Sequence, residues 1–285
     1  MSALYYTLVI AATLLFSLQF LFNQKFGEKR GSSLEATLIF TFYKSIVVAV
    51  AMFALAGFKV GFAPFSVILA FVYTASGLLM VYFSLKAFSV ANLSVYSVFS
   101  MLGGMLLPFL LGVFFFNEGF SVGKAVCLVL IFAAVLLGIE KKGGSRRAAL
   151  YYFGVFVLNG LAGVISKIHQ SSAYAHVDSE GFMFLTAIWG VVIAGIWLLI
   201  GYKKIPMLTK TELLLVTGYG AFNGMGNLFL LIALGFLPAS VQYPLVTGGV
   251  MVISTVISAL RREHLTKKEL IAAALAFLAS VAIII

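Results

Sequence analysis

Lys44 interrupts an otherwise apolar run from Ala36 to Gly57, about two residues from the centre of that run. At the helical rise of about 1.5 Å per residue, this places it roughly 3 Å from mid-depth in a spanning helix. A charge there costs about 2.5–3.5 kcal/mol on insertion scales, so the side chain is expected to face the protein interior or a wet cavity. It can attract a carboxylate or phosphate there, or titrate during a transport cycle. The structural alternative is a lysine held by backbone carbonyls, serving assembly alone.

Other polar residues recur at similar depth. Ser76, Asn159, Asn223 and Thr247 fall near the middle of their own apolar runs, with Tyr96, Ser100, Asn227 and Tyr243 about one turn away. Amides and hydroxyls need partners in hydrocarbon, and a ligand or a neighbouring helix satisfies them equally well. Asn223 and Asn227 are four apart and share one helix face, with Gly218, Gly220, Gly224 and Gly226 leaving space beside them. Tyr82 and Trp189 are surfaces on which a ligand can stack, although packing explains an aromatic in a span equally well. Together with Lys44 these are the candidate substrate-binding residues.

Two glycine pairs, Gly103-Gly104 and Gly248-Gly249, each lie near the middle of an apolar run with a proline one turn away, Pro108 after the first and Pro244 before the second. Broken helices at matching positions are a sequence pointer to a transporter site, so these six residues are candidate hinges. Close packing of glycine faces is the alternative.

All nine acidic residues lie near the ends of apolar runs or between them. A mid-depth cation without a deep acid favours anionic or zwitterionic cargo. Enzyme signatures are missing, with neither His-Glu-x-x-His nor Gly-x-Ser-x-Gly present, and Cys127 is the single cysteine. Gly119 to Lys124 is one residue short of a phosphate loop and is followed by Ala125. His169, His176 and Asp178 share one expected loop but lack a fourth ligand or helical spacing, so a solvated loop is the simpler reading. No catalytic residue, metal or cofactor is therefore expected. A channel is the strongest rival to a carrier, yet no ring of charges or carbonyl filter motif is visible.

Such residues need a membrane bundle to position them. Of 285 residues, 62% are hydrophobic and 10% charged, with a mean hydropathy of +1.13, which is outside the range of soluble domains. The net charge of +10 is carried by basic residues between apolar runs, so it speaks for membrane orientation and not for nucleic acid. Ten runs qualify as spans: Ala3 to Asn23, Ala36 to Gly57, Pro64 to Ala87, Asn92 to Phe116 and Val122 to Ile139, then Ala149 to Ser171, Glu180 to Gly201, Glu212 to Phe236, Ala239 to Leu260 and Glu269 to Ile285. The first has no basic stretch before it and no cleavage site after it, and reads as a span, not a signal peptide.

The two halves match at an offset of 145 residues, aligning Glu35 with Glu180, the glycine pairs with each other, Glu118 with Glu263, and Ser121 with Thr266. Five spans per repeat force opposite orientations, and equivalent loops exchange their positive charge accordingly. The expected fold is an all-α integral membrane protein of ten transmembrane helices, built as two inverted five-helix repeats over residues 1–140 and 147–285.

These features resemble the drug/metabolite transporter superfamily, in particular its EamA-like ten-helix branch. The most specific pieces are Phe116-Asn117-Glu118-Gly119-Phe120-Ser121 and Arg262-Glu263-His264-Leu265-Thr266, each followed by a closing apolar run, with Tyr82 to Ala87 similar to a helix 3 ending. The resemblance implies a secondary carrier, often an exporter, of amino acids, related metabolites, nucleotide-linked sugars or drugs, with a cavity lined by helices 1 to 4 and 6 to 9. The small multidrug members depend on a membrane-embedded glutamate, which this chain lacks. The expected function is secondary-active export, by alternating access, of a small polar metabolite, an amino acid, organic anion or related compound, with passive flow and drug efflux as alternatives. Expected partners are the lipid bilayer, a small-molecule substrate and optionally a coupling ion, with no nucleic acid, in a monomer or homodimer. Short loops suit a bacterial plasma membrane.

Fifteen of the 19 Lys and Arg residues fall on the face carrying the loops after spans 1, 3, 5, 7 and 9, three on the other, and Lys44 within a span. The basic face is expected to be cytoplasmic, which puts both termini outside; members of the family are usually described with both termini inside. Tags at the two ends should therefore react with an impermeant reagent in intact cells, and labelling of both only after permeabilisation would overturn this orientation.

Overall fold

The computed structural model describes residues 2–89, 93–116, 119–138, 146–203, 205–262 and 265–282. These form ten α-helices: α1 (Ser2–Arg30), α2 (Leu34–Leu55), α3 (Pro64–Phe88), α4 (Leu93–Phe115), α5 (Val122–Gly138), α6 (Arg146–Ser171), α7 (Ser179–Tyr202), α8 (Lys210–Leu234), α9 (Ala239–Leu260) and α10 (Lys267–Ala282). Seven are long and apolar enough to cross a membrane, namely α1 to α3 and α6 to α9, and the shorter apolar stretches Phe99–Phe115, Val122–Ala134 and Leu270–Ala282 lie in the other three. Glu118, Glu263, His264 and the 140–145 linker lie outside the described residues.

Backbone hydrogen bonds have no water to fall back on in hydrocarbon, so spanning segments close them internally as helices. The ends are set by local chemistry. Ser33 Oγ accepts from Ala36 N at 3.1 Å at the start of α2, and Asp178 Oδ1 accepts from Gly181 N at 2.7 Å at the start of α7. Thr209 and Glu212 form a reciprocal capping box on α8, and Pro64 begins α3, where a missing N–H is harmless. Some buried hydroxyls inside the spans turn back onto their own helices, as Thr13 does to the Val9 carbonyl at 2.8 Å and Ser280 to the Ala276 carbonyl at 2.9 Å. Large apolar side chains such as Ile10, Val50, Ile68, Ile200, Leu214 and Val256 are exposed on the outer surface. A continuous apolar exterior of this kind belongs in a bilayer; the protein is an all-helical integral membrane protein.

Helices distant in sequence make the main packing contacts. α1 lies on α8 and α6 on α3; α4 lies on α6 and α9 on α1; α2 lies on α8 and α7 on α3; α2 and α7, α4 and α9, and α5 and α10 pair with each other. Exchanging each helix with the one five places along returns the same set of packings. The ends of α1, α8 and α9 are tied together by Arg30 with Glu212 at 3.0 Å and by Arg261 with Glu28 at 3.4 Å. Ala272, Ala276 and Ala279 on α10 are buried within the chain, where α10 meets α5 and α9.

Both α4 and α9 run unbroken through their glycine pairs and through Pro108 and Pro244. Close approach accounts for the glycines. A Cβ on Gly103 would fall 1.8 Å from the Phe156 carbonyl oxygen of α6, one on Gly104 2.5 Å from Asn159 Nδ2, one on Gly248 1.6 Å from Ser280 Oγ of α10, and one on Gly249 2.6 Å from a Thr13 methyl of α1. The candidate hinges are thus packing positions in this conformation. Gly77 on α3 is different: a Cβ there would meet nothing within 4 Å.

Gly103→Ala should therefore destabilise the protein by about 2 kcal/mol or more, because a backbone carbonyl cannot move aside as a side chain can. Gly77→Ala should leave stability unchanged or gain up to about 1 kcal/mol from helix propensity. Thermal midpoints of the two variants in one detergent test this, and equal midpoints would contradict the packing described.

Candidate functional site

The midpoints of α2, α3, α4, α6 and α8 bring Lys44, Gly77, Gly104, Asn159 and Asn223 to one level, and these residues wall a cavity of about 130 Å³. A buried water needs only about 10–15 Å³ by the same kind of measure, so the chamber has room for several. α1 adds Gln19, α3 adds Tyr73 and Ser84, α4 adds Tyr96, α6 adds Ser166, α8 adds Tyr219 and Asn227, and α9 adds Tyr243 and Thr247. A side chamber of about 50 Å³ shares Lys44, Tyr73, Gly77 and Asn223 and reaches α7 at Met183, Thr186 and Ala187.

The wall is cross-linked by polar contacts, three of them between the two halves of the chain. Asn223 Nδ2 donates to Gln19 Oε1 at 2.8 Å, Tyr73 Oη to Asn227 Oδ1 at 3.3 Å, and Asn227 Nδ2 to the Asn223 carbonyl at 2.8 Å. Asn159 Nδ2 donates to the Ser100 carbonyl at 2.6 Å, and Tyr243 Oη to the Gly163 carbonyl at 3.1 Å. Ser84 and Tyr96 share a hydroxyl–hydroxyl bond of 2.8 Å. Each bond fixes a side chain that would otherwise lose hydration without return on leaving water.

Lys44 Nζ stands 5.5 Å from the centroid of the Tyr219 ring. Among the described residues no carboxylate pairs with it, and no protein group accepts a hydrogen bond from it or from the Tyr219 hydroxyl. Neither atom is among the sealed, partnerless polar atoms, so both open onto the chamber.

Of the residues singled out from sequence, Lys44, Tyr96, Asn159, Asn223, Asn227, Tyr243 and Thr247 line the cavity together with Gly104. Ser76, Tyr82, Ser100 and Trp189 do not. Ser76 Oγ donates to the Tyr73 carbonyl at 2.8 Å, and Trp189 Nε1 donates to the Val67 carbonyl at 3.1 Å, joining α7 to α3. Tyr82 packs edge-on to Phe83 and under Lys86. Ser100 is fully buried, and its carbonyl receives Asn159. Gly103, Pro108, Pro244, Gly248 and Gly249 lie outside the wall.

Sequence reasoning missed Gln19, Tyr73, Ser84, Ser166 and Tyr219. α1 continues seven residues past the expected end at Asn23, to Arg30, so Gln19 lies deeper than the hydropathy boundary implied. The expected loop at His169 also differs. His169 belongs to α6, is fully buried, and bonds Ser66 at 2.9 Å, while Ser66 Oγ accepts from Val177 N at 3.0 Å. His176 is exposed and Asp178 caps α7. Among the described residues no group of three or more metal-ligating side chains converges.

A larger hollow of about 460 Å³ between α1 and α9 is lined mainly by apolar residues such as Val9, Leu14 and Leu245. It offers a polar solute few hydrogen bonds.

No family model matches the chain. One curated relative, the "Putative sugar uptake protein" of Lactiplantibacillus plantarum (strain ATCC BAA-793 / NCIMB 8826 / WCFS1), is 31% identical over 173 residues. The match spans 57% of this chain and 58% of the relative, little more than half of its length. A protein of known crystal structure aligns over 98% of this chain and 95% of its own, at 18% identity and a TM-score of 0.67, which makes it similar in fold.

Proposed function

We propose that the chain is a secondary carrier of a small, hydroxyl-rich polar metabolite, working by alternating access about the mid-depth chamber. The observation that carries this is a space of about 130 Å³ at the centre of an apolar bundle, walled by polar side chains from seven helices. Packing alone gives no reason to keep such a space, because desolvated amides and an ammonium are unfavourable and an open glycine fills nothing. Amides and tyrosine hydroxyls suit the alternating donors and acceptors of a polyol. The relative named for sugar uptake points to the same class of cargo.

The ten helices act as ten spans in two inverted repeats, 1–140 and 147–285, of the EamA-like kind. The exchange of packings between helices five apart and the exchange of loop charge between the halves support this. A bacterial plasma membrane is the setting, and no enzymatic step is assigned to the chain.

Gly77→Leu tests the site directly. A Cβ at Gly77 meets nothing within 4 Å, and the position lines the chamber with Lys44, so the variant should fold normally and lose at least about tenfold in counterflow of a labelled monosaccharide, an ordinary effect for steric occlusion. Counterflow in proteoliposomes should saturate with the unlabelled sugar. Full counterflow by Gly77→Leu would remove the chamber from the transport path, and non-saturating flux would make the protein a pore.

A further inference from the structure

Two donor groups of the chamber, Lys44 and Tyr219, are left without a protein acceptor among the described residues, and one of them carries charge. Lys44 brings three N–H groups and a positive charge, and Tyr219 brings a hydroxyl; among the described residues the protein accepts none of these. Two groups that line both chambers with Lys44 commit donors to other partners. Asn223 spends its amide N–H on Gln19, and Tyr73 spends its hydroxyl on Asn227. The acids of known placement are elsewhere, with Glu28 and Glu212 in ion pairs at the end of the bundle and Asp178 on a helix cap.

We infer that the chamber selects a monoanionic carboxylate form of its hydroxyl-rich cargo, a sugar acid, with the carboxylate on Lys44 and Tyr219 and the hydroxyls on the amides of α1 and α8. This rests on the carrier reading above and names its substrate class. A carboxylate accepts several hydrogen bonds at once and neutralises the ammonium, converting a lone charge in low dielectric into a pair. Charge balance also separates it from related anions. One lysine cancels one negative charge, so a phosphate monoester would bring close to a full uncancelled charge to mid-membrane, and a neutral sugar would leave the ammonium as it is. Gly77 lies in the wall of both the main and the side chamber, as Lys44 does, and leaves the space into which the carboxylate fits.

Three probes that share one ring separate these cases: D-glucose, D-glucuronate and D-glucose 6-phosphate, measured by binding to purified protein and by counterflow in proteoliposomes. The wild type should prefer glucuronate to glucose by at least tenfold, with the phosphate weakest. Lys44→Met should bring glucuronate down to the level of glucose, and Lys44→Arg should retain part of the preference. An unshifted thermal midpoint establishes that the Met variant is folded. Binding of glucose without a preference for glucuronate, or a preference that survives Lys44→Met, overturns the inference and leaves the carrier reading intact. Binding and counterflow of none of the three overturns both.

Discussion

A protonated amine at the centre of a bilayer needs water or a counter-charge within reach, and the architecture around Lys44 answers that need with a chamber roomy enough for water. The side chain leaves α2 at its midpoint, where neither end is close enough for a lysine to reach an interface. It opens into a chamber to which seven helices contribute. Because no described carboxylate comes near, the chamber cannot collapse onto the amine without burying an unpaired charge, at several kcal/mol. The space is therefore a condition for the position of Lys44 and no mere packing fault.

Glycine builds both the tight parts of this bundle and the open one. At Gly103, Gly104, Gly248 and Gly249 the missing Cβ lets α4 settle on α6, and α9 on α10 and α1, at separations that any side chain would forbid. Gly77 faces emptiness, so its missing side chain widens the chamber. The prolines add to the polarity nearby, since Pro108 has no N–H to offer the Gly104 carbonyl one turn earlier, and Gly104 is in the wall. With α4 and α9 unbroken through these positions, the proposed alternation is better served by helices moving as rods than by local unwinding.

Depth was legible in the sequence, and rotation was not. Hydropathy places a residue along its helix axis, and that was enough to find Lys44, Asn159, Asn223 and Thr247 near the level of the chamber. It says nothing of the angle around the axis, about 100° for each residue. Ser76 therefore turns away from the chamber that its neighbour Gly77 lines, and Trp189 turns toward Val67. Tyr73 and Tyr219 were lost for another reason, because an aromatic in a span reads as packing until its hydroxyl is seen to face a polar group or a void. That the chain is helical and lies in a membrane followed from composition and the spacing of its apolar runs. The choice of partners, such as α1 with α8 and α2 with α7, did not, because small-residue faces occur on most of these helices and pairing depends on which of them meet.

The resting partner of Lys44 also bears on how a carrier site must behave. A cation over a tyrosine ring is worth about 0.5–1 kcal/mol when exposed and about 2 when desolvated. A hydrogen bond to an ionised acceptor is roughly twice as strong as a neutral one, so a carboxylate displaces the ring with a margin. A glutamate built into the wall would hold the amine more firmly and leave an arriving anion to compete with it. A ring at 5.5 Å keeps the ammonium oriented while leaving its hydrogen bonds unspent, and it takes the charge back when cargo departs. Binding by exchange of a weak partner for a stronger one keeps affinity moderate, which a site that must release its cargo on every cycle requires.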